Sequence, residues 1–262
     1  MVNNLENKIF LFLGINKFTI VAMNSANEFV YKGETLTGNQ NNQIELDFLD
    51  NFLNENIFKI EKKLNEFVKN IFLILDHHNI FPIQLSIKNK FDNIIINNSS
   101  IHKLILEAKS CCNKTLEDLD ILHMKIDKFY IDGAYFETLP EKKNCNNLSI
   151  EVSYICIPKR ISKTIEDVLK KYQISLDKIL SLDYLNSFLD DKNDNLYVMA
   201  QKILDGFNEN EVNITNKYSK KLGFFESTSA SFNFHWLVFF FYRFHFSYFT
   251  VYFVKVTLNS FK

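Results

Sequence analysis

Apolar residues fall along this chain in short runs separated by polar turns, and in several stretches they take up the spacing of a helix. Ile9 to Leu13 is apolar, the turn Gly14-Ile15-Asn16-Lys17 follows, and Phe18 to Met23 is apolar again, so the opening reads as a hairpin. A third strand is expected at Glu28 to Lys32, after the polar turn Asn24 to Asn27. From Glu45 to Lys69, residues Leu46, Leu49, Leu53, Ile57, Ile60, Leu64 and Phe67 recur at steps of three and four, the stripe of one long or broken helix. Short runs at Ile71 to Leu75, Ile83 to Ile87 and Ile94 to Ile96 predict strands, with Asp76 to Asn79 and Lys88 to Asp92 as turns. Ser99 and Ser100 are N-cap candidates for a helix over Ile101 to Ser110, with Leu104, Ile105 and Ala108 on its apolar side. Ile121 to Ile131, ending at Asp132-Gly133, and Leu148 to Ile157, ending at Pro158, read as strands. Ser162 to Tyr172 returns to helical spacing, Ile174 to Leu182 reads as strand, and a short helical piece covers Leu196 to Leu204. The alternation predicts a mixed α/β (α+β) fold without internal repeats.

Composition narrows the function classes. With 262 residues, 47% of them hydrophobic, the chain is long enough to bury a core and to hold one large domain or two small ones. Thirty Lys and Arg stand against 31 Asp and Glu, so there is no basic excess to attract nucleic acid, and no nucleic-acid partner is expected. Asn, Lys, Ile and Phe are abundant while Gly and Pro number 6 and 3, the bias of an AT-rich coding sequence. The four cysteines form no C-x-x-C pair, which fits a reducing compartment. The start, MVNNLENKIFLFLG, lacks the basic region and cleavage site of a signal peptide, and export is not expected.

Few residues suggest chemistry. His77 and His78, beside Asp76 and Asn79, are candidate metal ligands or bases, but adjacent histidines diverge on a strand and no partner stands at a ligand spacing. A turn is the expectation there. His123 falls inside a strand and is expected to be structural, and Cys111-Cys112 to be packing residues at a helix end. There is no nucleophile elbow, no Walker loop and no H-E-x-x-H. No enzymatic activity, cofactor or metal is expected.

The run ILHMKIDKFYIDG, then LSIEVSYICIP, then IEDVLKKYQISLDKILSLDYLNSFL, resembles the FtsA family of bacterial actin-like cell-division proteins. Ile121, Leu122, His123, Phe129, Asp132 and Gly133 match that family's I-L-H-V-x-x-x-x-F-x-V-D-G motif. Leu148, Ile150, Glu151 and Val152 partly match its L-E-V-E-V strand. The resemblance covers roughly Lys8 to Leu189. It implies a partial actin-like, ribonuclease H-like lobe in residues 1–69 and 159–190, interrupted by an SHS2-type sheet-and-helix module in residues 70–158, which that family uses for protein contacts. The family opens with a D-x-G-x-x-[TK] phosphate turn, in which backbone amides and a hydroxyl surround the phosphates and the acid helps place the metal. Here that turn is Leu13-Gly14-Ile15-Asn16-Lys17, with one glycine and no acid, and no D-I-G-G-G-T-x-D loop follows Leu189. The second lobe is therefore expected to be missing. The departures predict a non-enzymatic adaptor that contacts cell-division proteins through the module and possesses some capacity for self-association. Two rivals are an actin-like nucleotide-binding ATPase and a membrane-anchored adaptor unrelated to division.

A polar stretch, residues 191–223, is expected to act as a linker to a tail, residues 224–262, whose charges are Glu226, Arg243, Lys255 and Lys262. Trp236 to Val254 comprises 19 largely apolar residues, which as a helix at about 1.5 Å each would nearly match the hydrocarbon thickness. Arg243 near its centre opposes insertion by roughly 2.5–3.5 kcal/mol. Three readings stand side by side: a membrane-seeking segment, a sheet or core element suggested by the alternation Tyr242 to Tyr248, and a frame-shifted end. Under the first, Trp236, Leu237, Val238, Phe239, Phe240, Phe241, Phe249, Val251 and Phe253 are the membrane contacts. Lys217, Lys220 and Lys221 then place the protein on the cytoplasmic face of the inner membrane.

Overall fold

The computed structural model describes residues 7–38, 45–96, 98–140, 143–189 and 195–212. In chain order its elements are β1 (Lys8–Leu13), β2 (Lys17–Met23), β3 (Phe29–Leu36), α1 (Leu46–Leu64), β4 (Asn70–Leu75), β5 (Phe81–Ile95) and α2 (Asn98–Thr115). Then come β6 (Leu119–Ile131), β7 (Ala134–Phe136), β8 (Asn144–Pro158), α3 (Lys159–Lys170), β9 (Ser175–Ser181), α4 (Leu182–Asn186) and α5 (Leu196–Leu204). The fold is mixed α/β, as the alternation of patterns implies.

Two sheets divide the strands. The first runs β3-β2-β1-β4-β9, with β2 antiparallel to both of its neighbours and β1, β4 and β9 mutually parallel. Its interior strands are apolar on both sides because both sides are covered. Ile9, Leu11, Ile20 and Leu73 pack under α1 and α3, against Leu49, Leu53, Ile60, Ile165 and Leu169. Phe10, Val21, Ile74 and Leu180 face the other way, onto Tyr184 and Leu185 of α4 and Met199, Ala200 and Ile203 of α5. The second sheet runs β5-β8-β6-β7, all antiparallel. One of its faces, with Ile83, Leu85, Ile126, Phe129, Ile150, Val152 and Tyr154, closes on Leu104, Ile105 and Ala108 of α2.

Several expected boundaries move, each for a physical reason. The strand at Ile71 to Leu75 does not join the other strands between Asn70 and Pro158. Its continuous apolar run suits an interior strand, and it lies between β1 and β9. The expected turn at Lys88 to Asp92 is strand: Ser86, Lys88, Lys90 and Asp92 are the exposed positions of one 15-residue β5 that pairs along an equally long β8. A register shift between Lys90 and Ile94, with Asn93 at φ 48°, takes up the irregularity that resembled a turn. Helix α1 stops at Leu64, short of Lys69, because Asn65 adopts the left-handed conformation that ends helices. Helix α2 begins at Asn98, so Ser99 and Ser100 lie within its first turn instead of preceding it. Strand β9 ends at Ser181, whose hydroxyl accepts from the Tyr184 amide and starts α4. Residues 195–212 do not behave as a linker: α5 is packed, and the chain after it forms a bridge with β6, Lys125 opposite Glu211. The tail from residue 224, including Trp236 to Val254, lies outside the described residues. No helix among the described residues is long and apolar enough to cross a membrane.

Candidate functional site

The residues of the sequence motif are spread along the second sheet and do not converge. A register shift between Ile121 and His123 leaves Leu122 unpaired. That extra residue re-aims the strand, and Leu122 enters the core of the first sheet while Ile121 stays partly buried against the second. Phe129 is buried under α2. Asp132 and Gly133 form the two-residue turn between β6 and β7, with φ of 50° and 87°, the geometry for which Asp-Gly is preferred. The Asp132 carboxylate also accepts from the amides of Asn146 at 3.1 Å and Asn147 at 2.7 Å, tying the turn to the start of β8. Glu151, on the solvent side of β8, accepts from the Tyr130 hydroxyl at 3.1 Å and pairs with Lys128 at 3.2 Å.

His123 has a more specific setting, at the join between the sheets. Its Nε2 accepts from the Ser181 amide at 3.1 Å, and its Nδ1 lies 3.0 Å from Glu211 Oε1. A ring that accepts at Nε2 carries its proton on Nδ1, so His123 is a neutral imidazole donating to Glu211. Burial drives its pKa down, against the opposing pull of Glu211. The Glu211 side chain is 3% exposed and also meets Lys178 Nζ at 3.3 Å and the Tyr184 hydroxyl at 2.9 Å. Burial pushes the Glu211 carboxyl up, but the His123 hydrogen bond, the Lys178 charge and Tyr184 together hold it below its ordinary value. Asn208 donates to the same hydroxyl at 2.8 Å, and the segment is zipped to β6 by Ile126 N to Asn210 O and Val212 N to Met124 O. His123 was singled out by sequence, whereas Glu211, Lys178 and Tyr184 were not. Glu211 lies in the polar run NENEVN, where nothing in the spacing marks one acid as buried.

The Gly14 turn is closed on itself. The Gly14 amide donates to Lys17 O, the Asp76 amide donates to Leu13 O, and Thr37 bonds Asn16 O and Ile15 O. Asp76 sits where β4 ends. Burial raises its carboxyl, the Asp183 charge adds to the rise, and a backbone hydrogen bond from Ile15 opposes it. A side chain at Gly14 would stand 2.6 Å from the Phe12 ring, so this glycine makes room for a phenyl group of the chain itself. His77 and His78 lie where the chain turns after β4, and their rings stack at 4.5 Å. Among the described residues no group of three or more His, Cys, Asp or Glu is placed to hold a metal ion. Cys111 and Cys112 pack at the end of α2, and burial pushes the Cys112 thiol up to about 11, away from thiolate reactivity.

The second sheet turns its other face to solvent. Gln84, Ser86, Lys88 and Lys90 of β5 are exposed there, beside Tyr130 and Glu151 of β6 and β8. Strand β5 forms the outer edge of this sheet among the described residues.

No protein-family model matches the sequence, and no curated protein matches it either. Among solved structures, the fold is distantly similar to a PilM-PilN type IV pilus biogenesis complex, at a TM-score of 0.43 and 6% identity, covering 70% of this chain and 50% of that one. It is also similar to the cytoplasmic domain of EpsL, an inner membrane component of the type II secretion system of Vibrio cholerae, at 0.31 and 10%, covering 69% and 57%. A Bacteroides thetaiotaomicron protein with an actin-like ATPase fold and unknown function matches at 0.28 and 12%, covering 72% and 58%. The class that the strands and helices themselves define is a mixed α/β fold built on two sheets. The chain spans between 50% and 58% of the length of these structures.

Proposed function

We propose that this chain is a non-enzymatic, actin-like interaction adaptor. The observation that carries the reading is the Gly14 turn. In an actin-like phosphate loop, amides and a nearby acid face the nucleotide and its metal. Here the Gly14 amide is spent on Lys17 O, Ile15 bonds Asp76, and Phe12 occupies the space beside the glycine. The first sheet then serves as a platform, and the second presents a solvated face and a long edge on which a partner strand or loop can settle. The motif residues from Ile121 to Gly133, with Glu151, support a finer assignment to an FtsA-like division protein, with the tail from Trp236 reaching the inner membrane.

Two measurements on the full chain test this. Calorimetric titration with magnesium ATP is expected to give no micromolar binding, and micromolar binding would favour the ATPase reading. Trp236 is the chain's one tryptophan, so its emission reports on the tail directly. A blue shift with lipid vesicles that persists in high salt is expected of an apolar anchor. Unshifted emission, with the protein remaining unbound in flotation, would remove the membrane from the assignment. A fluorescent fusion that fails to concentrate at the septum would remove the division role.

A further inference from the structure

A surface cavity of about 410 Å³ opens at the carboxyl end of β4. It is lined by His77, His78, Asn79, Arg160 and Thr164, with Leu46, Ile161 and Ile165 forming an apolar side. No aspartate or glutamate is in that wall. Among the acids next in sequence to the lining residues, Asp76 is bonded back to Ile15, and Glu45 and Asp47 flank Leu46 without entering the wall. Arg160 is the sole arginine among the described residues of a chain whose other cations there are lysines. Arginine differs from lysine in presenting a planar fork of donors that matches two oxygens of a phosphate or carboxylate. Among the described residues the exposed Arg160 side chain makes no ion pair, although Lys170 and Lys171 on and just after the same helix do. His77 accepts from the Asn79 amide through Nδ1, which leaves Nε2 as its other polar atom. Its ring is held against His78 at 4.5 Å. With Nδ1 accepting, the neutral His77 ring carries its proton on Nε2, burial holding its pKa down, so a guanidinium and an imidazole N–H stand in one wall as donors that an anion can accept from. The place is also apt, because ligands of open α/β sheets settle in crevices beyond the carboxyl ends of parallel strands. A volume of this size accommodates a small molecule.

We propose that this cavity binds a small phosphate monoester, with Arg160, His77 and His78 on the phosphate and Leu46, Ile161 and Ile165 against the organic part. The cavity wall shares no residue with the Gly14 turn, and the proposal does not depend on the adaptor reading. The probes are phenyl phosphate and inorganic phosphate, titrated into the full chain at constant ionic strength, with the His77 and His78 ring protons followed by NMR and the unfolding temperature followed in parallel. Saturable shifts in those protons and a rise in unfolding temperature are expected, with the ester binding more tightly than free phosphate. Arg160→Gln is expected to weaken binding at least about tenfold, since a charge-assisted, two-pronged contact is lost. Arg160→Lys keeps the charge and loses the fork, and should fall between the two. Lys163→Ala, an exposed neighbour on α3 outside the cavity wall, should bind as the unaltered chain does. No saturable response at 10 mM, or equal affinity in Arg160→Gln and Lys163→Ala, would overturn the site. Equal affinity for ester and free phosphate would overturn the role given to the apolar side.

Discussion

Glu211 holds more of the structure than any single residue near it. Its carboxylate joins β6 through His123, β9 through Lys178 and α4 through Tyr184. Removing one member of a buried charged network leaves the others unpaired, at a cost of about 3–5 kcal/mol. Glu211→Ala is expected to lose that much in urea unfolding. The pH dependence has a definite sign. Both His123 and Glu211 have pKa values depressed by folding. Their contribution is therefore complete above the unfolded values, about 6.5 for histidine and about 4.3 for glutamate. It falls as acidification first protonates the unfolded His123 and then takes Glu211 through its folded pKa. The unfolding temperature should decline as pH drops below about 6.5, and His123→Gln should flatten the upper part of that decline. Tyr154 gives the opposite kind of expectation. Its ring fills the core under α2, yet its hydroxyl is buried with no partner among the described residues. Tyr154→Phe is expected to leave the protein as stable or to stabilise it by roughly 1 kcal/mol, because an unsatisfied buried hydroxyl costs about that much.

Among the elements, those defined by one strong period were legible in the sequence and those defined by a partner were not. Ile9 to Leu13, Phe18 to Met23 and the stripe of Leu49, Leu53, Ile57 and Ile60 behave as their spacing demands. Strand β5 resembles two pieces in the sequence because Lys88 to Asp92 is polar apart from Phe91. Only pairing with β8 makes those residues a continuation of the exposed row. Strand β7 was missed because three residues carry no period, and it exists through its turn at Asp132-Gly133. The site divides in the same way. His123 stands in a motif, but its partners come from 58 and 88 residues further along the chain. A smaller contact fixes α1 to the sheet edge. Asn56 donates to Phe52 O at 2.7 Å and accepts from the Tyr31 hydroxyl at 2.6 Å, with its oxygen where a side chain at Gly33 would lie. Gly33→Ala is expected to push Asn56 off both bonds and cost about 1–3 kcal/mol, read as a lower midpoint in chemical denaturation.

For the whole molecule, the segment 195–212 belongs to the fold. Without α5, Phe10, Val21, Ile74 and Leu180 lose their cover, and without Glu211 the join between the sheets loses its centre. A chain ending at Val212 should keep the unfolding temperature of the described fold, while one ending at Leu189 should fall by more than about 10 °C or fail to fold, as calorimetry would record. The first sheet also sets an order of events. Strand β4 pairs with β9 from Asn70 opposite Ser175 to Leu75 opposite Ser181, so one flank of β4 waits for residues made over 100 positions later. At the roughly 5–20 residues per second of synthesis, that is an interval of about 5–20 s on the ribosome. All the strands and the helix of the second sheet are translated within that interval, which makes it the first unit able to close. The growing chain thus carries a finished smaller sheet and an apolar strand with one open side, a point at which a bound chaperone would have most to protect.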